Sequence, residues 1–288
     1  MDDVARVRDT SDPLARVRLA TEAVSAYQEA INELGQIRRD AVEELRSQGL
    51  TLTQIAERAG VSRARLSQLG TARPKPERAL LSTGDSVTIA VPVEAAAYPQ
   101  GDAGRPVIHR EDAEFVERIS QLAKSYGLSS TTEYVGPSDF IDMNREGLVV
   151  TCGPRQSPWL EQVLSADPNY GFEHDQHGWY LEDKVTGTRH RSPQDRDESG
   201  DYAYLGVLPR PDGQGGWLYA AGIHAAGSRG AALYLAENIK ELYTEVRGAL
   251  WSCLVRCEYE PDSRELLRAD LVEPVKRRGR LKQRKTTR

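Results

Sequence analysis

Cysteine, methionine and phenylalanine are all scarce in this 288-residue chain, at three, two and three copies. Three cysteines cannot build a disulfide framework, so a small cross-linked secreted scaffold is excluded. No run of 18 apolar residues occurs, which leaves no candidate for a membrane-spanning helix. The first residues, Met1-Asp2-Asp3-Val4-Ala5-Arg6, are acidic and lack an apolar stretch, so no secretory signal is expected and the location predicted is cytoplasmic. The hydrophobic fraction is 39% and the charged fraction 28%, low in apolar content yet enough for two domains of this length.

The net charge of −5 hides an uneven distribution. Residues 1–81 carry 13 basic and 12 acidic side chains, and residues 276–288 carry eight basic and no acidic ones. The portion between them holds 17 basic against 31 acidic side chains. A nucleic-acid duplex would be repelled by that middle portion, so any contact with one should be confined to the two ends.

Residues 52–70, Leu-Thr-Gln-Ile-Ala-Glu-Arg-Ala-Gly-Val-Ser-Arg-Ala-Arg-Leu-Ser-Gln-Leu-Gly, read as two short helices joined by a tight turn. Ile55, Ala56 and Ala59 form an apolar face, Gly60 sits where a positive φ is needed, and Ser62 can cap the second helix. Val61, Leu66 and Leu69 would pack inward. This pattern resembles the helix-turn-helix of bacterial transcription regulators and the last region of sigma factors. The resemblance implies a DNA-reading second helix. Burial of its apolar side leaves Arg63, Ala64, Ser67 and Gln68 outward, types that suit guanine, a thymine methyl and adenine. Arg65, Arg73 and Lys75 are expected at phosphates, because residues 58–78 hold six basic side chains and one acidic.

Upstream, Asp12 and Pro13 make a helix start, and Val17, Ala20, Val24, Tyr27, Ile31 and Leu34 recur at alternating steps of three and four. That stripe either covers the helix-turn-helix or forms a homodimer seam. Residues 1–11 are expected to fray, and Ile37, Ala41 and Leu45 continue an apolar face after Gly35 up to a stop at Gly49. Pro74 and Pro76 argue for a linker over residues 74–85. The expected organisation is a helical DNA-binding domain over 1–73, a linker over 74–85, an α/β ligand-sensing domain over 86–275 and a basic tail over 276–288.

Strands alternate with helices from residue 86, which predicts a three-layer α/β sandwich with a largely parallel sheet. Two strand–turn–helix junctions stand out: Gly153, Pro154, Arg155 and Ser157 in the first, Gly227, Ser228 and Arg229 in the second. Such junctions aim backbone N–H groups at the carboxyl edge of a sheet, and the arginines could complete an anion site. Neither is a Walker motif or a dinucleotide fingerprint, and no cofactor is expected. The run Cys152-Gly153-Pro154-Arg155-Gln156-Ser157 resembles the Gly-Gly-Pro-x-x-Asn turn of a prokaryotic Rossmann-like module of the nucleotide-sensing (SLOG/TIR-like) kind, with Cys for the first Gly and Ser for the Asn. That resemblance implies a nucleotide-derived ligand.

His174 and His177 are read as loop residues, not metal ligands, Cys253 and Cys257 as buried hydrophobes, and Glu237 and Glu241 as a solvated helix face. No catalytic set is visible. The expected function is a ligand-responsive DNA-binding transcription regulator associated with the nucleoid. The alternatives are a nucleotide- or NAD-hydrolysing defence effector recruited through its helix-turn-helix, and an oligomerising scaffold.

Overall fold

The computed structural model describes residues 2–63, 66, 75–95, 106–136, 139–151, 153 and 164–280. The chain divides into two compact units, Met1–Arg73 and Pro74–Arg288.

In the first unit, α1 (Asp2–Asp9) is a helix where fraying was expected. Helix α2 spans Pro13–Ser47, with Asp12 accepting from the N–H groups of Leu14 and Ala15 at 3.3 and 3.1 Å. It passes Gly35 unbroken: one glycine costs about 1 kcal/mol, which a helix of this length absorbs. Leu14, Val17, Val24, Leu34 and Ile37 are exposed along it. Helix α3 (Leu52–Arg58) starts with a reciprocal cap between Thr51 and Gln54. Gly60 follows with φ +65°, and Leu66 donates its N–H to the Ser62 carbonyl at 3.0 Å. Ile55, Ala56 and Leu66 are buried. A complete helix-turn-helix domain is not evident among the described residues.

The second unit is built on a mixed eight-stranded sheet. Its strands are β1 (Ser86–Pro92), β4 (Ser129–Val135), β5 (Leu148–Val150), β9 (Gly200–Pro209), β10 (Gly216–Gly222), β11 (Ala249–Tyr259), β12 (Leu266–Leu271) and β13 (Lys276–Arg280). The order is β4-β1-β5-β10-β9-β11-β12, with β13 also on β11. The first four are parallel, and from β9 onward every pairing is antiparallel. The expectation of a largely parallel sheet therefore holds for one half only. The other half is joined by tight turns such as Arg210–Gly215, which force neighbouring strands to run in opposite directions. A short pair, β2 (Glu94–Ala95) with β3 (Pro106–Val107), stands apart.

Helices α4 (Arg110–Ser125) and α5 (Ala225–Val246) cover one face. Alternation along the strands sorts the core: Ile89, Val149 and Leu218 meet Phe115, Ile119, Leu235 and Ile239 on the helix side. Ala90, Leu148, Val150 and Tyr219 meet Tyr170, Phe172 and Leu181 on the other. Each large apolar side chain so buried contributes about 1.5–3 kcal/mol. The second face is covered, among the described residues, by the antiparallel sheet β6 (Tyr170–Asp175), β7 (Gly178–Asp183) and β8 (Thr188–Arg191), as the turn signals at His177-Gly178 and Thr186-Gly187 suggest, and not by the helices of a Rossmann-like third layer.

Two sequence boundaries move. Pro76–Leu80 is a 3₁₀ turn whose Leu80, with Leu81, enters the helix-side core, so most of the expected linker is structural. Residues 276–280 are β13, not free tail. Lys276 reaches Asp183 at 2.6 Å and Arg278 approaches Asp167 at 3.4 Å, so the basic run supplies cations to buried carboxylates. Residues 281–288 lie outside the described residues.

Candidate functional site

A narrow cleft opens at the carboxyl edge of the parallel strands, beside the point where the chain order reverses across β1 and β5. Ligands of open α/β sheets sit in that position. Thr151 and Gly153 follow β5; Gly222, Ile223 and His224 close β10; Ala225 and Ser228 begin α5; Asp112 lies in the first turn of α4; Phe172 and Trp179 come from β6 and β7. A second groove, lined by Tyr202, Arg256, Glu258, Arg268 and Asp270, lies on the antiparallel half. There Arg268 and Arg256 pair with Glu258 at 2.8 and 3.3 Å, so its charges are already matched.

The fit of α5 against β10 shapes the cleft. A Cβ on Gly227 would stand 2.5 Å from the Tyr202 carbonyl oxygen and 2.8 Å from the Gly222 Cα. Only glycine allows that approach. Ser228 Oγ accepts from the Gly222 N–H at 3.0 Å. Asp201, fully buried on β9, accepts from the N–H groups of His224 and Gly227, both at 2.8 Å. The positive end of α5 is thus met by a carboxylate from within the fold. His224 Nε2 lies 2.7 Å from Asp195 Oδ1.

Asp112 is 3% exposed and Thr151 2%. Asp112 Oδ2 and Thr151 Oγ1 are buried without a hydrogen-bond partner among the described residues. Burial pushes the Asp112 carboxyl up to about 6; His109 pulls the other way, and Glu111 and Glu94 add to the rise. Asp201 is likewise pushed up to about 6, by burial above all.

Of the residues expected at a ligand, Gly153 and Ser228 line this cleft together. Gly227 lies behind it, in the helix–strand contact. Arg229 does not line it. It is 6% exposed, places Nε 2.8 Å from Glu114 Oε2 without an aligned N–H, and donates from Nη2 to the Arg264 carbonyl at 2.8 Å. Its α5 position turns it towards α4, so it serves packing and not an anion in the cleft. Pro154, Arg155 and Ser157 lie outside the described residues.

Of the residues expected at DNA, Arg63 is exposed at a helical start. Ala64, Arg65, Ser67, Gln68 and Arg73 lie outside the described residues. Lys75 belongs to the second unit, its ammonium 5.0 Å over the Tyr126 ring. Aromatic stacking, not a reading helix, holds it. His174 stacks on Trp179 with ring centroids 4.9 Å apart, and no metal-binding group forms among the described residues. Cys253 and Cys257 are buried and free, and burial raises both thiols, Cys257 to about 12. Glu237 and Glu241 are exposed.

Sequence reasoning missed Asp112, Thr151, Asp201, Phe172 and Trp179. Two signals were present: a threonine directly after the apolar Leu148-Val-Val run, and an aspartate in the first turn of an amphipathic helix. No family model, curated protein or solved structure matches the chain.

Proposed function

We propose that the chain is a DNA-binding transcription regulator that dimerises along α2 and senses a small molecule in the cleft of its α/β unit. The observation carrying this reading is the segment after Thr51. A capped helix, a left-handed glycine and a buried Leu66 one turn into the next helical stretch give the spacing a reading helix needs, with Arg63 left exposed. The exposed stripe of α2 supports a two-fold partner, since dimeric readers engage two half-sites.

The test is genome-wide mapping of the bound protein, followed by titration on an enriched duplex. Discrete promoter peaks are expected, and Arg63→Ala and Gln68→Ala should each weaken specific binding by roughly 1–3 kcal/mol and relax base preference. Absence of enrichment would end the regulator reading.

One observation favours a second reading. A carboxyl held near 6 in a cleft suits proton transfer at neutral pH, as in a nucleotide- or NAD-hydrolysing enzyme. Turnover of NAD or a nucleotide that Asp112→Asn abolishes would establish it.

A further inference from the structure

The described lining of the cleft offers little to the anionic ligand that its helix junctions suggest. Among the described residues no lysine or arginine lines it, and Asp112 does. Asp201 takes the N–H groups of His224, the N-cap of α5, and of Gly227, its third residue, so a carboxylate already faces that helix end. Arg229, the cation nearest in sequence, is held by Glu114 and the Arg264 carbonyl. Among the described lining residues an anion would meet the Asp112 carboxyl and no lysine or arginine.

What the cleft lacks is a donor. The unpartnered Asp112 Oδ2 is an acceptor, and Thr151 Oγ1 can both donate and accept. Leaving such groups buried and unpaired is costly, and a ligand supplying the missing bonds recovers that cost. The cleft as a whole has an open volume of about 30 Å³, room for about two hydroxyl-sized groups, so the body of any larger ligand would lie outside it. Phe172 and Trp179 flank it from the opposite sheet, a flat apolar wall beside a polar floor.

We propose that this cleft binds a neutral vicinal diol, the hydroxyl edge of a sugar ring, with one hydroxyl donating to Asp112 Oδ2, the neighbouring one exchanging a hydrogen bond with Thr151 Oγ1, and the ring lying against Trp179. The ring enters as a free pentose or as the sugar of a nucleoside; both present the same diol. The proposal rests on the reading of the α/β unit as the sensing part, and it is independent of whether the first unit reads DNA.

The experiment is calorimetric titration of the full chain with ribose, adenosine, 2′-deoxyadenosine and inorganic phosphate, repeated on Asp112→Asn, Thr151→Val and the distant surface variant Glu237→Gln. Circular dichroism confirms that each variant is folded. Adenosine or ribose should bind saturably to the wild type and to Glu237→Gln. Affinity should fall roughly tenfold to a hundredfold in Asp112→Asn, as expected for losing a hydrogen bond to a charged group. 2′-Deoxyadenosine, which lacks one hydroxyl of the pair, should bind as weakly as adenosine does to Thr151→Val. Binding of ribose alone assigns a free sugar, and binding of adenosine alone a nucleoside. Phosphate binding that Asp112→Asn strengthens, or equal affinity for the deoxy and ribo forms, overturns the proposal, as does the absence of saturable binding by either sugar form. Promoter peaks in the mapping experiment would survive any of those failures, so the two readings fail separately.

Discussion

Asp112 and Asp201 sit against the grain of their surroundings. Both carboxyl groups are pushed up to about 6 from an ordinary 3.8, with burial the leading cause. A carboxyl whose folded value is raised binds more protons in the folded state. Its favourable contribution is complete below about 4 and is lost as the pH rises through about 6. The fold should therefore be less stable at pH 8 than near pH 5 on account of these two groups. Asp112→Asn should raise the melting temperature at pH 8, by at most roughly 3 kcal/mol of stability, and the gain should vanish towards pH 4. Melting curves across that range decide it; a variant less stable than wild type at pH 8 refutes the assignment. Asp201 differs because its Oδ2 holds two backbone donors, so its replacement should destabilise at every pH. Two such misfits, one at the start of α4 and one on β9, mark the surroundings of the cleft as a place where the fold gives up stability.

Helix α2 is the element with the least reason to stay as it is. Val17 and Val24 are 63% and 66% exposed, and with Leu34 they lie at the heptad steps that a second helix would cover. The wild type should sediment as a dimer at micromolar concentration. Val17→Asp/Val24→Asp should be a monomer, its association weakened by more than about 3 kcal/mol, since each partner buries two fewer side chains. A wild type that stays monomeric under those conditions removes the seam. This stripe was legible in the sequence because a three–four repeat is a local signal. So were α4, α5 and every strand of the main sheet except β13, whose apolar runs or turn signals lie within a few residues. Strand direction was legible only where turn signals join neighbouring strands, in the hairpins of residues 170–190 and the closing pair of β11 with β12; elsewhere a hydrophobic run reads the same in parallel and antiparallel pairing. Lys276-Arg-Arg-Gly-Arg280 reads as a tail in isolation. It becomes a strand because Asp167 and Asp183, about a hundred residues earlier, need its cations. The surroundings of Arg229 were hidden for the same reason: its partner Glu114 lies on another helix. The cleft was half visible, through Gly153 and Ser228, because turns are local; Asp112 reaches it only through the sheet.

At the scale of the molecule, the acidic middle of the sequence and the mixed sheet are one object, and that object has two halves. The parallel half, β4-β1-β5, is made from residues before 151; the antiparallel half, β10-β9-β11-β12, from residues after 199. They meet through one short strand: β5 pairs with β10 only at Val149–Leu218 and Val150–Tyr219. The β9–β10 hairpin closes across a tight turn, whereas the junction joins segments far apart in sequence, and such closures come late in folding. Pulse-labelling hydrogen exchange during refolding should protect β9 and β10 against each other first and the pairing of Val149 and Val150 with β10 among the last; simultaneous protection would contradict this order. The cleft straddles that seam, with Thr151 on one side and Gly222 to Ser228 on the other. A nascent chain released before residue 228 would hold only half of the cleft's lining, so the cleft takes shape only after synthesis has passed the start of α5, and a molecule bound there, as proposed above, would act as the clasp that closes the sheet.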